Sequence, residues 1–246
     1  MTDIASRIYR RSQSRPRADR SPLLLPVAIF GAAALAALAL IAYLLWPRWP
    51  GATVALDAPA FPITIHGVAF NIPPAAVRVA VQRRPGAHER VDLTFLWPSL
   101  QPPDPAAKPA PPAQGTLPSP TQPFERLFVT IAGAGDTIAP ADRVRTIYPR
   151  YAAAQAGAGP GGLALLAFRD GTPYQGEDLI YDQTAGTGFL VRCTRNGAGP
   201  TPGSCLYDRR IEKADVVVRF PRDWLDSWRP VADGIDKLIT RLRPRG

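Results

Sequence analysis

The sequence predicts an α+β protein with one N-terminal transmembrane helix, followed by a mainly antiparallel β domain that has a central helix and a C-terminal amphipathic helix. A long uncharged segment at 23–46 predicts the membrane helix. Beyond residue 60, segments that alternate apolar and polar residues predict short strands, and Gly, Pro and Asn separate them. Apolar residues at helical spacing near the C-terminus predict the last helix.

The membrane segment runs from Leu23 to Trp46 and contains 24 residues without a charge. A helix needs about 20 apolar residues to cross a hydrocarbon core of ~30 Å. A cleaved signal peptide has a shorter apolar core followed by small residues, whereas Trp-Pro-Arg-Trp-Pro stands at 46–50. An amphipathic helix that lies on the membrane needs a polar face, which this segment lacks. We therefore predict an uncleaved anchor bounded by Leu23 and Trp46.

The charges on either side of this segment predict its orientation. The tail at 1–22 holds six arginines and two aspartates, and Arg48 follows the segment closely. The positive-inside rule places the tail in the cytoplasm and the C-terminal domain on the far side of the lipid bilayer. Residues 47–60 are predicted to be a linker, and residues 61–246 the domain.

Period-two alternation predicts most of the domain. Residues 61–73 read as two strands joined by a turn at His66-Gly67, and residues 75–82 alternate through three valines. Tight turns between neighbours favour antiparallel pairing. Further strands are predicted at 89–97, 124–133, 162–169, 177–182, 188–193, 205–211 and 215–220.

A proline-rich run interrupts this pattern at 98–123. Ten of its 26 residues are proline, and it has almost nothing to bury. Because the strand pattern resumes at 124–133, we predict a disordered loop inserted between two strands.

Two helices are predicted within the domain. Apolar residues at helical spacing indicate a central helix at 140–154, and Pro149 limits its length. In the C-terminal helix, Pro230 should kink or split the chain. Its apolar stripe is predicted to pack on the sheet, with lipid as the alternative surface. The stripe comprises Leu225, Trp228, Val231, Ile235, Leu238, Ile239 and Leu242.

Cys193 and Cys205 are the two cysteines of the chain. Turn signals between them and strand patterns around them favour a hairpin that brings the thiols together, and an oxidising compartment would convert them to a disulfide. Closing such a loop contributes ~3 kcal/mol in the chain-entropy model. A reduced or unpaired state and a metal or redox site are the alternatives. A metal site would need partners, and a redox pair is usually Cys-x-x-Cys, so we predict no metal and no cofactor.

The net charge of +9 does not indicate nucleic-acid binding, because nearly half of it lies in the tail and the domain has no basic run longer than two residues. The serine-hydrolase elbow, the phosphate loop and the zinc motif His-Glu-x-x-His are absent from the sequence. Asp170, Asp178 and Asp182 are the candidate catalytic residues, since grouped carboxylates can perform acid–base chemistry or hold Ca²⁺. The simpler interpretation, which we favour, is a solvated hairpin edge with no catalytic residue.

Three segments carry a resemblance to known proteins. They are Trp97-Pro98-Ser99-Leu100 after a strand, Phe168-Arg169-Asp170-Gly171, and Phe220-Pro221 between the last strand and the last helix. In these segments the chain resembles bacterial envelope proteins that have one N-terminal membrane helix. The resemblance implies an inner-membrane anchor and a periplasmic domain. It implies no activity and no functional residues.

Three functions are therefore expected in order. The first is a non-catalytic interaction or scaffolding protein of the bacterial envelope, with other envelope proteins as its partners. The second is an envelope enzyme, acting for example on glycan, that uses the carboxylates of 170–182. The third is a module that binds anionic lipid or an envelope polymer through basic residues.

Overall fold

The computed structural model describes residues 24–45, 54–104, 125–184, 188–199 and 201–244. The chain divides into two units, residues 1–51 and residues 52–246. The predicted basic tail, Leu23, Trp46 and most of the proline-rich loop lie outside the described residues.

The first unit contains helix α1, Leu24–Leu45. Its 22 residues span about 33 Å at 1.5 Å per residue. Every side chain described in α1, from Pro26 to Leu44, is exposed. Of the helices in the described ranges, α1 is the one long and apolar enough to cross a membrane. An apolar helix at the predicted place is thus confirmed.

The second unit contains two sheets, and its α+β class with mainly antiparallel strands is confirmed. The larger sheet has eight strands in the order β4-β5-β11-β10-β9-β8-β7-β6, all antiparallel. The smaller sheet has the order β2-β1-β3, with β1 and β3 parallel. The strands are Phe61–Ile65 (β1), Val68–Ile72 (β2), Gly86–His88 (β3), Arg90–Leu96 (β4), Arg126–Gly133 (β5), Gly157–Ala158 (β6), Ala164–Ala167 (β7), Glu177–Tyr181 (β8), Leu190–Thr194 (β9), Ser204–Ile211 (β10) and Ala214–Pro221 (β11).

The main core lies between one face of the large sheet, the β1–β2 hairpin and helix α4, Trp228–Leu242. Alternate residues of the strands face this core, as in β11, where Val216 and Val218 are buried. The predicted C-terminal stripe is buried along its whole length, which confirms that it packs within the domain. Turns of 3₁₀ helix at Arg222–Ser227 precede α4, and Pro230 lies in its first turn, where a missing N–H costs little.

Two sequence predictions for local structure were wrong. Residues 75–82 form two 3₁₀ turns, Pro74–Ala76 and Ala80–Gln82, instead of a strand. Proline at the start of the first turn favours that geometry, and an isolated bridge between Val77 and Leu93 is the remaining trace of strand pairing. The central helix is two short helices, α2 (Pro140–Thr146) and α3 (Tyr148–Tyr151), because Pro149 interrupts the run.

Cys193 and Cys205 form the predicted disulfide. They are direct partners on β9 and β10, and both are completely buried. The bond therefore joins neighbouring strands at the edge of the main core.

The beginning and the end of the second unit lie beside each other. Leu56 and Ala60, which precede β1, line the same cavity as Leu242 and Pro244, at the end of α4. The cavity has a volume of about 610 Å³.

Candidate functional site

The three candidate carboxylates do not converge. Asp170 is exposed in the turn after β7. Asp182 follows β8 and accepts hydrogen bonds from the main chain and side chain of Thr184. Asp178 lies four residues before it, about 13 Å away along an extended chain. The grouping in the sequence is therefore not a grouping in space.

Asp178 is buried, with 3% of its surface exposed, so its predicted place on a solvated edge was wrong. One carboxylate oxygen accepts a hydrogen bond from Nε of Arg195 at 2.8 Å, and the other from Nη2 of Arg222 at 2.6 Å. Arg195 also donates to the carbonyls of Phe168 and Glu177. The network joins β8 to the loop after β9 and to the 3₁₀ turns after β11, which is a structural role.

A different candidate site lies on the other side of the large sheet. We call the surface of β4, β5, β11, β10 and β9 that points away from the main core the open face. Its residues on β5 and β11 are half-buried or exposed, while those between them are buried. Helices α2 and α3 cover one part of it, where Tyr148 and Phe168 form a second, smaller core.

A cleft, here named the α2 cleft, flanks helix α2 where it crosses the open face. On one side of the helix the space has a volume of about 300 Å³ and is lined by Val144, Tyr148 and Leu190, among others. On the other side it has a volume of about 610 Å³. Arg192, Leu206 and Asp208 line both parts. Helix α2 has no buried residue, so it lies loosely over this cleft.

The charged residues of the α2 cleft come from three separate elements. Arg143 of α2 places Nη2 3.3 Å from Asp208 of β10, and Arg192 of β9 forms an ion pair with Glu177 of β8. Nε of Arg143 and Nε of Arg192 are buried and have no hydrogen-bond partner among the described residues. A buried donor without a partner costs about 1–3 kcal/mol, so a ligand that supplies an acceptor would recover this energy.

Burial shifts the acid–base equilibria in this cleft. The pKa of Asp208 is raised, because burial disfavours its charge more than Arg143 and Arg192 favour it. Burial also raises the pKa of Tyr148. The pKa of Arg192 is raised as well, because the hydrogen bond and charge of Glu177 outweigh the effect of burial. The cleft therefore combines a permanently charged guanidinium with apolar walls, which suits recognition of an acceptor group.

The sequence prediction missed the α2 cleft. Arg192 stands between Val191 and Cys193, which are both buried. The available signal was that alternation, which places Arg192 on the opposite face of the strand. Its meeting with Arg143 and Asp208 depends on the strand order and on the position of α2, and neither can be read from local pattern.

Comparisons with known proteins show the fold. No protein-family model matches the chain, and no curated protein matches it. Among solved structures, the chain is similar to Smlt3025, an immunity protein of the Stenotrophomonas maltophilia type IV secretion system, with a TM-score of 0.53 and 16% identity. That match covers 79% of this chain and 98% of the other.

A second solved structure is the Neisseria meningitidis iron-regulated outer membrane lipoprotein FrpD, with a TM-score of 0.37, 9% identity and coverage of 76% and 98%. This score is too low to support an argument. The first likeness shows a shared fold at low identity, and a shared fold does not by itself give a shared function.

Proposed function

We propose that this chain is a non-catalytic interaction protein of the bacterial envelope. Helix α1 anchors it in the inner membrane, the arginine-rich tail is cytoplasmic, and residues 52–246 lie in the periplasm and bind another envelope protein. The apolar exposed helix and the disulfide between Cys193 and Cys205 support this topology, since disulfides persist in oxidising compartments.

The observation that carries the proposal is the α2 cleft. It is a concave site on an otherwise open sheet face, and it holds two buried guanidinium donors, on Arg143 and Arg192, that lack acceptors. Arginine and aromatic residues are enriched at protein interfaces, and Tyr148 lines the same cleft. By contrast, both carboxylate oxygens of Asp178 are held by arginines, which leaves the enzyme hypothesis without a supporting observation.

The test is a crosslinking purification of the full chain from membranes of its host. Ala141 is exposed and lines the α2 cleft, so Ala141→Arg should obstruct the cleft without disturbing the core. Ala87, which is exposed in β3, gives the matched control Ala87→Arg. The wild type and the control should retrieve the same envelope protein, and the cleft variant should lose it. Equal recovery with Ala141→Arg, or no specific recovery with the wild type, would refute the proposal.

The topology has its own test. Reporter fusions at the C-terminus should be active when the reporter works in the periplasm and inactive when it works in the cytoplasm. Cytoplasmic activity would contradict the proposed orientation and leave the binding site without its compartment.

We further propose that the partner is a secreted effector protein, which this chain binds and neutralises. The likeness to an immunity protein, which extends over nearly all of that protein, favours this narrower role. A deletion strain grown in contact with its parent should be outcompeted, and a copy of the wild type should restore its growth, whereas Ala141→Arg should not. If the deletion strain competes equally while a specific partner is still recovered, the neutralising role fails and the interaction role stands.

A further inference from the structure

The charges of the open face do not balance. Four carboxylates lie on it, and each is within 4 Å of an arginine: Asp92 with Arg90, Glu177 with Arg192, Asp208 with Arg143 and Asp215 with Arg210. Three further arginines, Arg78, Arg126 and Arg219, have no ion-pair partner among the described residues. The excess positive charge of the face is therefore concentrated in these three side chains.

The three arginines surround Phe128, and we call this group the basic patch. Arg219 on β11 is the direct cross-strand partner of Phe128 on β5, and Arg126 precedes Phe128 by two residues on the same side of the strand. The guanidinium carbon of Arg78 lies 4.8 Å from the centre of the Phe128 ring. All three arginines are exposed, so their charges are available to a ligand.

The basic patch borders a pocket of about 260 Å³. Arg126, Phe128 and Arg219 form one side of this pocket, and residues 201–204, which lead into β10, form another side together with Pro221. Guanidinium groups beside an aromatic ring and proline can hold a carboxylate while its aliphatic stem packs on the apolar surface.

The basic patch is continuous with the α2 cleft. One row of cross-strand partners on the open face runs Arg192, Leu206, Arg219, Phe128. Arg192 and Leu206 line the α2 cleft, and Arg219 and Phe128 line the pocket of the patch. Three strand spacings of about 4.8 Å separate Arg192 from Phe128, which gives ~14 Å.

We propose that the basic patch binds an acidic segment of the same protein partner that occupies the α2 cleft. An extended segment crossing the strands would place carboxylates in the cleft and in the patch when they are four or five residues apart, since each extended residue spans about 3.3 Å. The mixture of paired charges, apolar side chains and a concave pocket favours a protein over a lipid surface, which attracts protruding basic clusters without needing a pocket.

This inference deepens the proposed function and rests on it for the claim that the partner is a protein. The test uses the full chain in phosphatidylcholine nanodiscs and a peptide of ten glutamates as the probe. Phenylglyoxal modifies accessible arginines, and mass spectrometry gives its rate at each arginine separately. The basic tail also binds such a peptide, so a readout at single residues is needed.

The peptide should slow modification of Arg126 and Arg219 at least fivefold, while the exposed Arg84 and Arg150, away from the patch, should change less than twofold. A peptide of ten glutamines should protect none of them. In the variant with Arg126→Gln and Arg219→Gln, protection of Arg78 should also be lost. In the matched variant with Arg84→Gln and Arg150→Gln, which removes the same charge, the patch should stay protected.

Absence of protection, or equal protection at Arg84 and Arg150, would overturn the inference. Nanodiscs that contain phosphatidylglycerol form the lipid arm. If they protect the patch without peptide and the peptide does not, the patch binds membrane and the inference is also overturned. In each of these cases the α2 cleft could still retrieve its partner in the crosslinking test, so the two failures are distinguishable.

Discussion

Asp178 gives the sharpest prediction on stability. The change Asp178→Asn keeps the size of the side chain but removes the charge that faces Arg195 and Arg222. Removal of one partner from a buried ion pair costs about 3–5 kcal/mol, because the remaining charge is left uncompensated. Here the side chains of Arg195 and Arg222 are 34% and 15% exposed, and both keep main-chain acceptors. We therefore expect the lower end, about 3 kcal/mol.

The assay is urea unfolding of the full chain in detergent, followed by tryptophan fluorescence. Trp97, Trp224 and Trp228 lie in the second unit and report on its core. A loss of ~3 kcal/mol raises the ratio of unfolded to folded protein more than a hundredfold and lowers the urea midpoint.

Asp170→Asn is the matched control, since Asp170 is exposed, and it should leave the midpoint nearly unchanged. If Asp178→Asn unfolds at the same urea concentration as this control, the structural role assigned to Asp178 is refuted. The same result would restore the interest of this carboxylate for catalysis.

Three further predictions concern other parts of the second unit. Replacement of Cys193 and Cys205 by Ala should lower the free energy of unfolding by ~3 kcal/mol, and in the wild type neither sulfur should become accessible to thiol chemistry until the domain is unfolded and reduced. Asp215→Asn should cost about 1 kcal/mol at pH 7, and this cost should vanish in acid. The hydrogen bond from its arginine partner lowers the pKa of Asp215, so its stabilisation is present above the unfolded-state pKa and is lost as the pH falls through the folded-state pKa. Gly234→Ala should destabilise the domain although Ala favours helix by about 1 kcal/mol, because the added Cβ would lie 2.6 Å from the ring of Trp97.

Each of these has a reference measurement. Wild type treated with reductant should unfold at the same urea concentration as the cysteine variant. The pH dependence of Asp215→Asn is taken as the difference from wild type at each pH, so that shared acid effects cancel; a constant difference from pH 7 to pH 2 would contradict it. Lys237→Ala, at an exposed position of the same helix, should change stability little, and a stabilising Gly234→Ala would show that Trp97 moves aside at no cost.

The sequence was informative where burial follows a simple period. Strand β4 and helix α4 were predicted correctly because apolar residues at spacings of two and of three to four must share one face. Residues 75–82 failed the same rule, since Val79 and Val81 alternate correctly and yet are exposed. Alternation shows that a segment could pair as a strand, but it does not show that an edge is free to receive it.

The candidate site could not be predicted for a different reason. Arg78, Arg126 and Arg219 are separated by 48 and 93 residues in the chain. They meet because β5 pairs with β11 and because the turns after β2 pass beside β4. Asp178 and Arg222 are likewise 44 residues apart. Strand order brings such groups together, and local sequence pattern carries little information about strand order.

The proximity of Leu56 to Pro244 bears on how the domain could be rebuilt. Since the chain enters and leaves the second unit at one place, a membrane helix attached after Pro244 would hold the domain by the same end as a helix placed before Leu56. A circular permutant that joins these two positions by a short linker should fold for the same reason. The end of the chain that carries the anchor is thus a replaceable part of the design.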